Sequence, residues 1–177
     1  MRTLLAVALL LPLHAHAANY AGQWTLDRAQ SKDLPPFYED VQSHSMQIRQ
    51  TDKQLILAIE ITSASSDEPA HFDFTYTLDG VPVKTETDVR TPNGMVSVPT
   101  TLTAKPASNG DLEITIEREL PTRGGEPMKG TTFEKWRLQE DGKTLVIDRV
   151  DEMRRGTTSS TLIFKRDVGS SDKAIRQ

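Results

Sequence analysis

Apolar and polar residues alternate one by one along most of this 177-residue chain, between residues 43 and 166. An alternation with a period of two places all the apolar side chains of a strand on one face. Beta-branched and aromatic residues dominate these positions, as is typical of strands. The pattern therefore predicts an all-β fold with an interior formed by Met46, Ile48, Leu57, Ile59, Phe72, Phe74, Tyr76, Val83, Ile114, Ile116, Trp136, Ile147 and Phe164.

Turn-forming residues separate the alternating runs at short, regular spacing. The pairs Asp79-Gly80, Asn109-Gly110 and Asp141-Gly142 are typical of tight hairpin turns, which need positive φ angles. Ten strands are predicted, at 21–27, 43–51, 54–62, 70–78, 81–89, 95–104, 111–119, 130–138, 144–152 and 157–166. We expect a single antiparallel up-and-down meander that closes into a barrel, because closure hides one apolar face and removes exposed edges.

The registers of the hairpins follow from the requirement that apolar residues oppose apolar residues, since a slip of one residue would reverse every face. The turn at Asp79-Gly80 would pair Leu78 with Val81, Tyr76 with Val83 and Phe74 with Thr85. The turn at Asp52-Lys53 would pair Ile48 with Leu57 and Met46 with Ile59. A longer loop at Asn109-Gly110, or a bulge near Pro106, would place Leu102 opposite Ile116. The turn at Asp141-Gly142 would pair Leu138 with Leu145, Trp136 with Ile147 and Glu134 with Arg149.

Residues 1–17 have the pattern of a secretory signal peptide: Arg2, an apolar run to Leu13, and the ending Ala15-His16-Ala17. The apolar run is about half of the ~20 residues that span a bilayer, and no second run follows, so no membrane span is expected. We expect cleavage after Ala17 and export to the periplasm or the cell exterior. The remaining chain would form one domain over 18–166 with a disordered tail over 167–177.

Composition excludes several classes of function. The chain has no cysteine, which excludes disulfides, thiolate metal sites and a cysteine nucleophile. Its formal net charge is -4, with acidic and basic residues interspersed, so no basic face for a nucleic acid is expected.

No motif points to catalysis or to a metal. His44 and His71 have a spacing that fits no metal-binding motif, and no serine lies in a Gly-x-Ser-x-Gly turn. No glycine-rich phosphate loop is present either. We therefore expect a protein that is not an enzyme, with no catalytic residue, no metal and no cofactor.

Glu134 opposite Arg149 is the most informative polar pair, because the register places both residues on the apolar face. Buried charges need partners, since the loss of hydration is costly. One interpretation is a polar anchor inside a ligand cavity, with Arg149 free to bind a ligand carboxylate. The other is a solvated pair at the barrel mouth, which would contribute less than ~1 kcal/mol.

The start of the predicted domain resembles a known family. Gly22-Gln23-Trp24-Thr25-Leu26-Asp27, followed by Ser31-Lys32, resembles the first strand of the lipocalin-like (calycin) barrels. The fuller pattern, with turns such as Asp141-Gly142-Lys143-Thr144-Leu145, is similar to a family of small secreted bacterial proteins of that type, mostly of unassigned function. The resemblance extends over residues 20–166 and is specific over 20–32.

The resemblance implies a structural role for Gly22 and Trp24. In calycin barrels the tryptophan plugs one end, and a basic residue from a late strand lies across it; here Arg166 would take that place, with Lys165 and Arg149 as alternatives. The chain lacks the disulfides and C-terminal helix of secreted lipocalins. It also lacks the helical lid and the Arg-x-Tyr clamp of intracellular fatty-acid binders, so the ligand class stays open.

The function expected from barrel and resemblance together is the binding of an apolar or amphipathic small molecule in the barrel interior. The predicted ligand-contacting residues are Phe72, Phe74, Tyr76, Trp136, Glu134 and Arg149. The alternative is a filled barrel that acts as a cell-envelope interaction or structural module, with loops 28–42 and 120–130 making the contacts. The sequence does not specify a protein partner.

Overall fold

The computed structural model describes residues 18–91, 94–122, 125–154 and 156–167. The predicted signal peptide at 1–17 lies outside the described residues, and so does the predicted tail at 167–177 apart from Asp167. The described chain forms ten strands: β1 Gly22–Leu26, β2 Val41–Gln50, β3 Gln54–Ser63, β4 Ser66–Thr77, β5 Val83–Thr91, β6 Gly94–Pro106, β7 Leu112–Leu120, β8 Met128–Leu138, β9 Thr144–Met153 and β10 Gly156–Arg166. Each corresponds to one of the predicted strands.

All ten strands belong to one antiparallel sheet, in the order β4-β3-β2-β1-β10-β9-β8-β7-β6-β5. The chain runs as an up-and-down meander, and the first and last strands pair with each other, with Trp24 opposite Arg166. The sheet curls until its two edge strands, β4 and β5, contact each other. The result is a nearly closed barrel, and the predicted fold class is confirmed. Among the described residues, no helix has the length and apolar character needed to cross a membrane.

The predicted hairpin at Asp79-Gly80 is wrong. The predicted pairs that do not form are Leu78–Val81, Tyr76–Val83 and Phe74–Thr85. Instead, β4 and β5 are the two edges of the sheet, and Val83 pairs with Leu102 of β6. Val81, which the predicted register placed opposite Leu78, is 57% exposed.

Local hydrogen bonds explain why this hairpin does not form. The Asp79 carboxylate accepts the Val81 N–H at 3.0 Å, the group that a two-residue turn would have directed at the Leu78 carbonyl. Pro82 has no N–H with which to continue a ladder. The Gly80 N–H donates to the Ala104 carbonyl of β6 instead. Consequently no hydrogen-bonded ladder forms between the described residues of β4 and β5.

The other predicted registers are confirmed. Ile48 opposes Leu57, Leu102 opposes Ile116, and both Trp136–Ile147 and Glu134–Arg149 form as predicted. The interior side chains are mostly buried, and only Ile59, Phe72 and Val83 of the predicted set are partly exposed. The alternation of the sequence therefore corresponds directly to the inner and outer faces of the barrel.

The segment between β1 and β2 crosses one end of the barrel. Lys32 forms an isolated bridge with Thr161 of β10, and the Asp40 carbonyl accepts the Ala64 N–H at the turn between β3 and β4. A 3₁₀ helix spans Pro36–Glu39 and turns Tyr38 inward, where it is only 3% exposed. This end of the barrel is therefore covered by a short turn with a buried phenol.

The Trp24 cluster closes the opposite end. The Arg166 guanidinium lies 4.4 Å from the centroid of the Trp24 ring, and the Trp24 indole donates to the Tyr20 carbonyl at 2.8 Å. Gly22 has a φ of +143°, and a Cβ there would lie 2.8 Å from an Arg166 nitrogen. Of the alternative cations, Lys165 donates to Thr144 and Arg149 pairs elsewhere. Gly22 thus allows Arg166 to lie across Trp24.

Candidate ligand-binding cavity

The barrel encloses a cavity of about 170 Å³ between the Trp24 cluster and the 3₁₀ helix. Aliphatic and aromatic side chains form most of its wall, because the inward positions of the strands are apolar. Phe37, which is 54% exposed, also lines it, so the cavity reaches the surface beside the 3₁₀ helix.

All six residues predicted to contact a ligand lie in the wall of this one cavity: Phe72, Phe74, Tyr76, Trp136, Glu134 and Arg149. The rings of Phe74 and Tyr76 are stacked with their centroids 6.2 Å apart. Tyr76 and Trp136 are 2% and 1% exposed, whereas Phe72 is partly exposed. The aromatic residues of this set belong to β4 and β8, and the two charged residues belong to β8 and β9.

Arg149 faces the interior but already has carboxylate partners. Its Nε and one terminal nitrogen donate to the two oxygens of Asp151, at 2.8 Å and 2.9 Å. A second terminal nitrogen lies 3.5 Å from Glu134, whose other oxygen accepts the Trp136 indole N–H at 2.9 Å. Thr132 donates to Asp151 at 2.6 Å. The arrangement is a connected polar network, and Arg149 is not free to bind a ligand carboxylate without giving up Asp151.

The pKa values within this network follow from burial and from these contacts. Burial alone would raise the pKa of Asp151, but the hydrogen bonds and charge of Arg149, with help from Thr132, lower it below its usual range. Burial would likewise lower the pKa of Arg149, yet Asp151 and Glu134 raise it. Both groups therefore stay charged in the folded protein at neutral pH.

Tyr38 and His44 form a second polar site in the cavity wall. The Tyr38 hydroxyl lies 3.0 Å from His44 Nδ1, and the two rings stack with their centroids 5.9 Å apart. His44 Nε2 is buried and has no hydrogen-bond partner among the described residues. Burial, with a smaller effect of the nearby Arg149 charge, lowers the pKa of His44 to about 4. His44 is thus a neutral imidazole with one unused nitrogen.

Arg118 of β7 is a third polar group of the wall. Its Nε donates a long hydrogen bond of 3.4 Å to Thr87, which in turn contacts Thr100 at 2.7 Å. Its terminal nitrogens have neither a hydrogen bond nor an ion pair to any described residue. Burial, and secondly the charge of Arg149, lower the pKa of Arg118.

The sequence prediction missed Tyr38, His44, Asp88 and Arg118 as wall residues and Asp151 as the partner of Arg149. Arg118 and Asp151 were available from the alternation, since they fall on the same faces as Ile116 and Arg149. Tyr38 carries no such signal, because it reaches the interior from a loop rather than from a strand. His44 was considered only as a metal ligand; within the described part of the chain, no group of three His, Asp or Glu side chains could hold a metal ion.

The buried imidazole predicts a pH dependence of stability. The pKa of His44 is near 6.5 in the unfolded chain, but burial lowers the pKa to about 4 in the folded chain. Between these values the unfolded state binds more protons, so the free energy of unfolding falls as the pH is lowered through this window. His44 alone should account for about 3 kcal/mol. Urea titrations between about pH 7.5 and pH 4.5 would measure the slope.

The matched test of this slope replaces each histidine in turn. His44→Phe should flatten the pH dependence, because the titrating group is gone. His71→Phe should leave the slope in place, since His71 is 64% exposed. Equal slopes in the wild type and in His44→Phe would contradict the assignment to His44.

Comparisons with protein-family models and with curated protein sequences find no match. Two solved structures align at low similarity. The ileal bile acid-binding protein of zebrafish, in complex with cholic acid, aligns over 84% of this chain and 98% of its own, with a TM-score of 0.45 and 11% identity. Lobster apocrustacyanin A1 aligns over 88% of this chain and 65% of its own, with a TM-score of 0.40 and 11% identity. Since both TM-scores lie below 0.5, the function has to be inferred from the residues of this chain.

Proposed function

We propose that this protein binds a small, largely apolar molecule in the barrel interior, beneath the 3₁₀ helix. The observation that supports this is the cavity itself, which stays open in an interior that is otherwise well packed. Aromatic and aliphatic side chains form most of the cavity wall, and a few polar groups lie among them. Such a pairing of apolar wall and few polar groups is typical of small-molecule sites.

The size of the cavity limits the ligand. Its volume of about 170 Å³ is below the ~300 Å³ at which pockets for drug-sized molecules begin. A cavity of ~150 Å³ lined by aliphatic and aromatic residues is enough for benzene. We therefore expect a compound with one ring or a short branched chain, rather than a long fatty acid.

The proposal predicts that filling the cavity abolishes binding. Calorimetric titration of the wild type with toluene should show saturable binding, and Ile59→Trp should remove it, because Ile59 lines the cavity. The matched control is Ile56→Trp, the same change on the outer face of β3, which should bind toluene like the wild type. Equal toluene binding by the wild type and Ile59→Trp would contradict an interior site.

The alternative is a barrel that acts as a cell-envelope interaction or structural module without a ligand. The small cavity and the exposed Phe37 ring on the 3₁₀ helix favour it. Tyr38 does not, because it is buried rather than presented to a partner. Absence of binding in the toluene titration, together with capture of a partner that depends on Phe37, would favour this module.

Export is part of the same proposal. The pattern of residues 1–17 supports it, since a charged start, an apolar run and Ala-x-Ala are the features that signal peptidase recognises. Expression of the full chain in a bacterium and intact mass measurement of the secreted or periplasmic product should give a protein that begins at Ala18. An uncleaved cytoplasmic product would contradict export.

A further inference from the structure

Arg118 is a partly buried cation that forms no ion pair with any described residue. Its terminal nitrogens have no partner among the described residues, and its single hydrogen bond to Thr87 is long, at 3.4 Å. Glu134 and Asp151 stabilise its charge only from beyond ion-pair distance. Buried guanidinium groups are ordinarily paired, because the loss of hydration is otherwise uncompensated.

The charged residues that line the cavity are Asp88, Arg118, Glu134 and Arg149, and Asp151 pairs with Arg149. The contacts of these charges are unequal. Glu134 and Asp151 are both bound by Arg149, and they also accept hydrogen bonds from Trp136 and Thr132. Neither of these carboxylates lies within ion-pair distance of Arg118. An additional anion in the cavity would therefore meet Arg118 without disturbing the Arg149 network.

His44 supplies a second free group, and counting hydrogen bonds assigns its tautomer. If Tyr38 donates to His44 Nδ1, a single group is left unpaired, namely the Nε2–H of the imidazole. The opposite tautomer would leave both the Tyr38 hydroxyl proton and the Nε2 lone pair without a partner. Because unpaired buried polar groups are costly, the first arrangement is favoured, and Nε2–H is a donor.

We propose that the ligand is a small carboxylic acid, bound as its anion, whose acceptor oxygens take up the free donors of Arg118 and His44. This inference rests on the proposed binding function and specifies the ligand class. Asp88 also lines the cavity but is exposed to solvent and can stay hydrated, whereas the more buried polar groups with unused hydrogen-bonding atoms, Arg118 and His44, are both donors. The complement is therefore an acceptor and not a second donor such as an amine. The apolar body of the acid would lie against Phe72, Phe74 and Tyr76.

The test compares two probes of the same shape, benzoate and benzamide, at neutral pH. Calorimetry should show that the wild type binds benzoate at least about tenfold more tightly, since a hydrogen bond to a charged group is worth more than one to a neutral group. Arg118→Gln should reduce this preference to about twofold or less. Arg137→Gln, which removes an exposed arginine on the outer face, is the matched control and should keep the preference.

His44→Phe separates the second donor from the apolar wall. It should weaken benzoate binding several-fold and leave the affinity for toluene within about twofold of the wild type, because the ring shape is retained. Unchanged benzoate affinity in this variant would overturn the role of His44.

The outcomes distinguish the ligand class from the proposed function. Equal affinities of the wild type for benzoate and benzamide, with both lost in Ile59→Trp, would overturn the acid inference and leave the interior site in place. No binding of benzoate, benzamide or toluene would overturn both. The ratio of the two affinities in the wild type is informative even where a variant folds poorly.

Discussion

Substituting alanine for Trp24 is expected to lower the free energy of unfolding by about 4 kcal/mol, because replacing a buried tryptophan leaves a large cavity. Trp24 is fully buried, its indole donates to the Tyr20 carbonyl, and Arg166 lies over its ring. The cation–π contact adds about 0.5–2 kcal/mol to what is lost. A domain of this size is stable by only ~5–15 kcal/mol, so this loss would remove at least about a quarter of the total.

Urea titration followed by circular dichroism would measure this effect without relying on tryptophan fluorescence. Phe133→Ala is the matched control, since it removes an aromatic ring that is 42% exposed on the outer face of β8. It should cost less than about 1 kcal/mol. Similar losses in the two variants would show that Trp24 does not close the barrel.

Replacing Arg149 by methionine is expected to cost about 3 kcal/mol, the lower end of the range for breaking a buried ion pair. The loss arises because Asp151 and Glu134, which are 13% and 12% exposed, would remain charged without their cation. We expect the lower end because the Arg149 side chain is 30% exposed and water reaches part of it. Urea titration at neutral pH would measure the change.

Two further variants test that explanation. Adding Glu134→Gln and Asp151→Asn to Arg149→Met should recover most of the loss, because no carboxylate is then left without its cation. Arg137→Met breaks an exposed ion pair with Asp148 and should cost less than about 1 kcal/mol. A triple variant that is no more stable than Arg149→Met would mean that packing, not charge, explains the effect.

The barrel could be predicted from the sequence because a strict alternation of apolar residues leaves little freedom. A slip of one residue would expose Trp136 and Ile147 together, so the pairing of β8 with β9 follows from the alternation alone. The hairpin predicted at Asp79-Gly80 does not form, because the Asp79 carboxylate accepts the Val81 N–H that the hairpin would have used. The Asp-Gly pair alone does not indicate whether the aspartate side chain will compete with the backbone for this N–H.

The candidate site could be predicted only in part. The site residues on strands could be predicted from the alternation, and the same alternation could have identified Arg118 and Asp151. Tyr38 could not, because its position depends on how the segment between β1 and β2 folds over the barrel end. The unused nitrogen of His44 also depends on this loop, since the phenol of Tyr38 occupies the other nitrogen.

The most direct measurement of the central claim is a titration of the methyl-labelled protein with benzoate, followed by NMR. The account predicts saturable shifts at Leu57, Ile59 and Ile116, whose side chains line the cavity. Ile56 and Val150, on the outer face, should not shift. Shifts confined to outer-face methyl groups, or none at benzoate concentrations that saturate calorimetric binding, would contradict a ligand site inside the barrel.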